Sequence, residues 1–229
     1  MTTIELHDYS LLPFGKGLGL HSVSFGLSRG EVCAVHADQP DDAHIFMRAL
    51  ATLEKPSGGE YYFQGERLDF SNYINLLPYK RKIGYISPDS VLISNRTLRE
   101  NLVMSRIYFE NRADMDLDGK TAELCRFFKI EDKLDMRPAH LDREDVRLAF
   151  IIRELTKGPE VIILERPRDH LGYIRFGMFL EVLRSFVEAK VPFIVLTSDE
   201  KFLRDFSNRE VAIRGGTVDF SALPVSGRD

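Results

Sequence analysis

Two short apolar segments in the second half of the chain constrain the fold most strongly. Residues 161–164 (VIIL) and 193–196 (FIVL) have no polar side chain on either face, which is typical of strands covered on both sides in a parallel sheet. Between them, residues 175–190 have apolar side chains at helical spacing. Strands that alternate with helices in this way predict a doubly wound parallel sheet.

The first part of the chain alternates between apolar and polar residues instead. Residues 4–10 (IELHDYS) and 20–28 (LHSVSFGLS) alternate as half-exposed antiparallel strands do, and an apolar segment at residues 32–35 predicts a further buried strand. Residues 97–134 have helically spaced apolar side chains and predict a mainly helical insert, with a polar surface loop at 111–119. The sequence therefore predicts an α/β fold in which an antiparallel β subdomain and a helical subdomain flank the parallel sheet.

The composition argues against several classes of function. A net charge of −4 over 229 residues provides no basic field for nucleic acid. The apolar segments are far shorter than the roughly 20 residues that cross a bilayer, and the N-terminus has no signal-peptide pattern, so we expect a cytoplasmic protein without membrane insertion. Cys33 and Cys125 lie in apolar segments and are predicted to be buried, reduced thiols.

Several segments follow one another in the order and spacing of a known family. The chain resembles the ATP-binding subunit of ABC transporters over about residues 4–218, and the segments that carry the resemblance are SVSFGLSRGEVCAV, LEKPSGGEYYFQGERL, IGYISPDSVLISNRTLRENL, LAFIIRELTKGPEVIILERP and VAIRGGTV. The resemblance implies a single ABC ATPase-like domain over residues 1–229 with a P-loop NTPase-like core. It implies that about residues 1–90 and 158–229 form the RecA-like core with the antiparallel sheet, and that about residues 95–155 form the helical subdomain.

The family binds ATP and magnesium through a loop of the pattern G-x-x-G-x-G-K-S/T-S/T, whose backbone N–H groups wrap the phosphates. The aligned segment of this chain has no glycine and no lysine, and Pro40 removes one N–H donor. Like charges about 4 Å apart repel by roughly 4 kcal/mol at an effective dielectric constant of 20, so the aspartates of the segment would oppose a triphosphate. We predict that this segment binds neither ATP nor magnesium, although the resemblance by itself implies both ligands. Aligned without gaps, the loop falls on Ala37, Asp38, Gln39, Pro40, Asp41, Asp42, Ala43, His44 and Ile45.

The family's other catalytic positions are altered as well. The glutamine that senses magnesium falls on Pro88, and the switch histidine falls on Ser198. The acidic pair that ends a buried strand falls on Glu165 and Arg166, and of these positions Glu165 alone keeps the family's chemical character. Each composite site needs one subunit's phosphate loop and the other subunit's signature L-S-G-G-Q, so these departures predict a catalytically inactive chain. The signature falls on Leu141, Asp142, Arg143, Glu144 and Asp145.

We expect the altered loop to neutralise its own charges. The helix after Asp42 presents unpaired N–H groups and the positive end of its dipole. Asp41 or Asp42 is therefore predicted to cap this helix, an interaction worth about 0.5–2 kcal/mol. In the family fold the strand that ends at Glu165 faces this loop. We therefore predict that Arg166 pairs with Asp38, Asp41 or Asp42 and closes the pocket.

Two further interpretations of this region stay open. Phe14 matches the position at which the family stacks an adenine, and packing of its ring against the first sheet explains the residue equally well. The loop also contains side chains of the kind that bind metals, but their spacing matches no established motif, and we predict a solvated, self-capped loop without a metal. The possible ligands are His36, Asp38, Asp41, Asp42 and His44.

The main functional hypothesis is a pseudo-ATPase, a structural or regulatory subunit of a membrane transport complex that its partners hold at the inner face of the membrane. The resemblance implies a membrane permease as partner, with a second ATPase subunit as an option. It puts residues 92–99 and 106–108 near the groove that receives the permease. One alternative is an atypical ATPase that still binds or hydrolyses ATP. A second alternative is a free-standing binding module that uses the cleft for another ligand.

Overall fold

The computed structural model describes residues 1–110 and 116–222. Its strands are, in chain order, β1 (Thr2–Leu11), β2 (Leu20–Ser28), β3 (Val32–Ala37), β4 (Gly58–Phe63), β5 (Glu66–Arg67), β6 (Ile83–Ile86), β7 (Val161–Glu165), β8 (Phe193–Leu196), β9 (Arg209–Arg214) and β10 (Thr217–Ala222). Its α-helices are α1 (Pro40–Leu50), α2 (Leu77–Lys82), α3 (Leu98–Glu110), α4 (Gly119–Phe127), α5 (Arg143–Thr156), α6 (Tyr173–Glu188) and α7 (Glu200–Phe206). The short helices α2 and α7 are not predicted by the sequence pattern.

The strands form two sheets. Strands β2, β1, β4 and β5 are neighbours in this order in an antiparallel sheet, and β10, β9, β3, β8, β7 and β6 form the second sheet. In the second sheet β3 pairs in parallel with β8 and β9, and β7 pairs in parallel with β6 and β8. Strand β10 runs antiparallel to β9 after a turn at Gly215 and Gly216. The predicted α/β fold is confirmed.

The central strands are covered on both faces, as their composition predicts. All five residues of β7 are buried. Ile162 and Leu164 belong to a core formed with α3 to α7, whereas Val161 and Ile163 belong to a core formed with α1 and the antiparallel sheet. Burying one such side chain stabilises the fold by about 1.5–3 kcal/mol. This packing holds the carboxyl ends of β3, β7 and β8 at one edge of the sheet.

The helices between β6 and β7 occupy the segment in which the sequence predicts an insert. Residues 97–134 contain α3 and α4, and α5 follows them. The predicted surface loop at 111–119 lies partly outside the described residues, and the subdomain boundaries stay a prediction. In the part of the chain that the structure describes, no helix is both long and apolar enough to cross a bilayer.

The two cysteines are buried, as predicted. Cys33 in β3 and Cys125 in α4 are free thiols. Burial raises the pKa of each thiol to about 12. Both thiols therefore stay protonated at neutral pH, and thiolate chemistry is suppressed.

Candidate functional site

A cavity of ≈ 640 Å³ lies where the carboxyl ends of β3, β7 and β8 meet the start of α1. Ligands of open α/β sheets bind at this kind of edge. Residues 141–145 do not line the cavity, and Ile45 is buried in the core instead. The sequence-predicted residues that the fold brings together around the cavity are Phe14, His36, Ala37, Pro40, Asp41, Ala43, His44, Glu165, Arg166 and Ser198.

Three backbone N–H groups at or next to the start of α1 donate within the protein. Pro40 is the first helical residue, and Gln39 occupies the N-cap position without a side-chain capping bond. The N–H of Asp38 donates to the carbonyl of Ile213 in β9 at 3.1 Å. The N–H groups of Asp42 and Ala43 both donate to the carbonyl of Gln39, at 3.1 and 3.4 Å.

Asp41 and Asp42 bind the loop between β1 and β2 rather than the start of their own helix. Asp41 Oδ2 accepts from the backbone N–H of Lys16 at 2.7 Å, and Asp42 Oδ1 accepts from that of Gly19 at 2.9 Å. A Cβ atom at Gly17 would collide with Asp42 Oδ1, so this approach needs a glycine. The capping prediction is wrong, because proline favours the first helical position and moves both aspartates inside the helix.

Arg166 does not close the cavity. Its backbone turns out of β7 with a φ of 44°, and its N–H donates to the carbonyl of Leu196 at 2.8 Å. The side chain is 54% exposed, and its Nε lies 3.8 Å from Asp169 Oδ2. The predicted ion pair with Asp38, Asp41 or Asp42 is therefore wrong, and the cavity stays open.

A contact that was not predicted, between His44 and Glu165, joins α1 to the end of β7. His44 Nδ1 lies 2.7 Å from Glu165 Oε1, and the hydroxyl of Tyr85 donates to Glu165 Oε2 at 2.7 Å. The other ring nitrogen of His44 lies 3.8 Å from Asp89 Oδ2. Burial and the charge of Glu165 raise the pKa of Tyr85, so its hydroxyl stays protonated and can donate. The buried carboxylate of Glu165 is thus held by a ring on α1 and a hydroxyl on β6.

Phe14 forms the aromatic wall of the cavity. Its side chain is 47% exposed, and its ring centroid lies 5.8 Å from that of His44. The ring therefore lies at the cavity and is not packed within the first sheet. Among residues 1–110 and 116–222, no group of three or more His, Cys, Asp and Glu side chains is arranged to hold a metal ion.

A second arrangement of acidic residues lies at the start of α5. Asp142 is the N-cap, and its Oδ1 accepts from the N–H of Asp145 at 2.8 Å. Glu144 Oε1 accepts from the N–H of Gly172 at 2.7 Å. The buried carboxylate of Asp145 pairs with Lys133 and, at 2.5 Å, with Arg175.

The charges around Asp145 compensate one another. Burial by itself would raise the pKa of Asp145, but the bonds from Lys133 and Arg175 outweigh it and lower that pKa below its usual value. Of the other positions aligned with the signature, Leu141 packs against the core and Arg143 is exposed.

The loop after β6 is fixed by a buried cation. Arg147 in α5 donates from Nη1 to the carbonyl of Ser87 at 2.6 Å. Burial lowers the pKa of Arg147 to about 10, which leaves it charged at neutral pH. Pro88 follows directly and does not line the cavity.

Comparisons with known proteins agree on the type of fold, although no family model matches the chain. A solved ATP-binding subunit of an ABC transporter superposes with a TM-score of 0.84 at 21% identity, covering 97% of this chain and 90% of that one. A dimeric bacterial ABC transporter cassette superposes with a TM-score of 0.83 at 21% identity, covering 96% and 99%. The chain has the ABC ATPase fold.

Curated relatives point the same way. The L-cystine import ATP-binding protein TcyC of Bacillus subtilis (strain 168) is 24% identical over 208 residues, which cover 90% of this chain and 84% of TcyC. The arginine transport ATP-binding protein ArtM of the same organism is 23% identical over 205 residues, which cover 90% of this chain and 85% of ArtM. The chain is homologous to ABC transporter ATP-binding subunits.

Within this ABC ATPase fold, Tyr85, Asp89 and Arg147 also belong to the site region, although they are not among the sequence-predicted residues. A signal for Tyr85 was present, because residues 83–86 (IGYI) have the composition of a strand, and this strand pairs in parallel with β7, which carries Glu165. Asp89 and Arg147 gave no comparable signal. Their roles depend on how the loop after β6 packs against α5.

Proposed function

We propose that the chain is a pseudo-ATPase, a structural or regulatory subunit of a membrane transport complex that does not turn over ATP. The observation that carries this proposal is that the loop at residues 37–45 forms its hydrogen bonds within the chain. Its charged side chains bind the amides of Lys16 and Gly19, and the N–H groups of Asp38, Asp42 and Ala43 donate to backbone carbonyls. A phosphate cradle needs N–H donors and a cation at this place, and the loop supplies carboxylates.

The start of α5 supports the same conclusion. If residues 141–145 stand where the family's signature stands, the helix end that would receive a γ-phosphate is already capped by Asp142. Glu144 adds a second carboxylate to the first turn, whereas Asp145 is paired with Lys133 and Arg175. A phosphate of a neighbouring subunit would meet these carboxylates, so a partner's site is impaired as well.

The proposed partner is a membrane permease, with a second ATPase subunit as an option. TcyC and ArtM are ATP-binding proteins of import and transport systems, and a relative from Brucella melitensis is an ATP-binding/permease protein. By this homology the chain works at the inner face of the membrane, with residues 92–99 and 106–108 near the partner. Affinity purification from native membranes should recover a permease. A monomer that recovers none would favour a free-standing binding module.

The direct test is calorimetric titration of the purified chain with Mg-ATP. We expect no saturation at micromolar nucleotide, whereas a TcyC-type subunit measured alongside should bind. Micromolar binding by this chain would overturn the proposal. ATP hydrolysis by the isolated chain would do the same.

A second candidate is an atypical ATPase that still binds nucleotide, and the open cavity beside Phe14 favours it. This candidate predicts that Phe14→Ala weakens Mg-ATP binding, because the ring would stack on the adenine. A variant of Phe70, an aromatic residue packed against Tyr61 away from the cavity, is the matched control. Equal nucleotide affinities of the two variants would count against the second candidate.

A further inference from the structure

The cavity beside α1 has the opposite charge from a phosphate site. Its acidic lining residues are Asp41, Asp89 and Glu165, and no lysine of the described chain lines it. Arg166 also lines it, but the half-exposed guanidinium lies beside Asp169. Arg147, a further cation of this region, is buried and bound to Ser87. His36 and His44 line the cavity as well, and with both rings neutral the three carboxylates make the local field favour a positively charged ligand.

The three carboxylates differ in how much they can offer a ligand. Both oxygens of Glu165 are engaged, by His44 and by Tyr85. One oxygen of Asp41 accepts from the backbone N–H of Lys16. The side chain of Asp89 is 66% exposed, and its Oδ2 lies 3.8 Å from the ring of His44, which is too far for a hydrogen bond. Of the three, Asp89 is the carboxylate for which the described residues supply no hydrogen-bond donor.

An aromatic face stands beside these charges. The ring of Phe14 is half exposed in a cavity of ≈ 640 Å³, a volume typical of small-molecule sites. A cation near an aromatic face is attracted by the ring quadrupole. A flat apolar body with a cationic head would use the ring and the carboxylates together.

We propose that this cavity binds an organic cation of the amidinium or guanidinium class, with Asp89 accepting from its cationic head and Phe14 stacking on its body. The inference rests on the proposed function, because bound Mg-ATP would occupy the same space. A metal ion fits less well, because Glu165 has no free oxygen and the described residues include no metal-binding group of three or more side chains.

Three ring compounds of equal shape and different charge test the ligand class. Benzamidinium, benzamide and benzoate are each titrated into the full chain by ligand-observed NMR. We expect saturable binding of benzamidinium, at least roughly tenfold weaker binding of benzamide, and none of benzoate, because charge-assisted hydrogen bonds are the stronger ones. Equal affinity for benzamidinium and benzamide, or no binding of benzamidinium below about 10 mM, would overturn the proposal.

Variants then test the assigned residues. Asp89→Asn should weaken benzamidinium binding about tenfold, and Phe14→Ala should weaken it about twofold to fivefold. Asp132→Asn, at an exposed position far along the chain, is the control and should bind as the parent does. An Asp89→Asn variant with unchanged affinity contradicts the assignment. Mg-ATP is titrated into the same sample: its binding overturns the proposed function, whereas failure of every ligand overturns this inference alone.

Discussion

Helices α1 and α5 both have acidic residues in the first turn, but these residues bind different partners. At α5, Asp142 caps its own helix and Asp145 forms a buried ion-pair cluster. At α1, the N-cap Gln39 makes no side-chain bond, and the two aspartates reach a loop more than 20 residues upstream. Similar first turns thus serve local capping in one helix and long-range attachment in the other.

The difference originates at one position. Pro40 takes the first place in α1, which proline favours because it lacks an N–H to leave unpaired. The aspartates then follow one and two places later, where their carboxylates point out toward the β1–β2 loop. In α5 the aspartate itself stands at the N-cap. The position of an acid relative to the helix start, rather than its presence, decides which donor it meets.

Asp145→Asn should have the largest effect on the free energy of unfolding. Its carboxylate is buried between Lys133 and Arg175, and neutralising one partner of a buried pair costs about 3 kcal/mol when the other charges keep some contact with water. Urea unfolding measures the loss. Asp132→Asn, on the exposed surface, should stay within about 0.5 kcal/mol. A loss no larger than that of the control would show that the cluster contributes little.

Asp42→Ala tests the long-range attachment of α1. The variant leaves the buried N–H of Gly19 without its acceptor, which costs about 1–3 kcal/mol. Asp42→Asn retains a side-chain oxygen that can accept, so its loss should be clearly smaller. Hydrogen exchange at Gly19 should accelerate in the alanine variant. Equal losses in the two variants would mean that the hydrogen bond is not what stabilises this contact.

Asp142→Ala and Gln39→Ala compare the two N-caps directly. Loss of the Asp142 cap should destabilise the chain by about 1 kcal/mol, and Asp142→Ser should restore most of it. Gln39→Ala should change the free energy of unfolding by a few tenths of a kcal/mol, because its side chain makes no capping bond. Thermal unfolding measures both. The comparison breaks down if the two alanine variants lose the same amount.

The smallest expected effect is a difference in pH dependence. The folded-state pKa of Asp145 lies below the ordinary 3.8, because the bonds from Lys133 and Arg175 outweigh its burial. A lowered pKa stabilises the fold at pH values above 3.8, and this contribution is lost as the pH falls through the folded-state pKa. Between pH 6 and pH 3 the parent should therefore lose more stability than Asp145→Asn. Parallel losses would contradict the assignment.

The fold followed from patterns that are local in the chain. The apolar runs at residues 161–164 and 193–196 have the composition of doubly covered strands, and they form β7 and β8. The site was predicted less well. Alignment by resemblance brought His44 and Glu165 to one edge of the sheet, but the pairing of Arg166 with the aspartates was wrong. The backbone of Arg166 has a positive φ just after β7, and residue types alone do not predict this conformation or the direction that it gives the side chain.

The sequence by itself determined most of the elements that form, α2 and α7 excepted. It also determined that residues 37–45 carry carboxylates and no lysine, and that α5 begins with acids. These properties depend on residues within a few positions of one another, whose spacing sets helix, strand and cap. Only the tertiary structure decided that Asp41 and Asp42 bind the β1–β2 loop, that His44 meets Glu165, and that the cavity stays open. Those contacts join residues 23 to 121 positions apart, and their geometry exists only once both faces of the central sheet are packed.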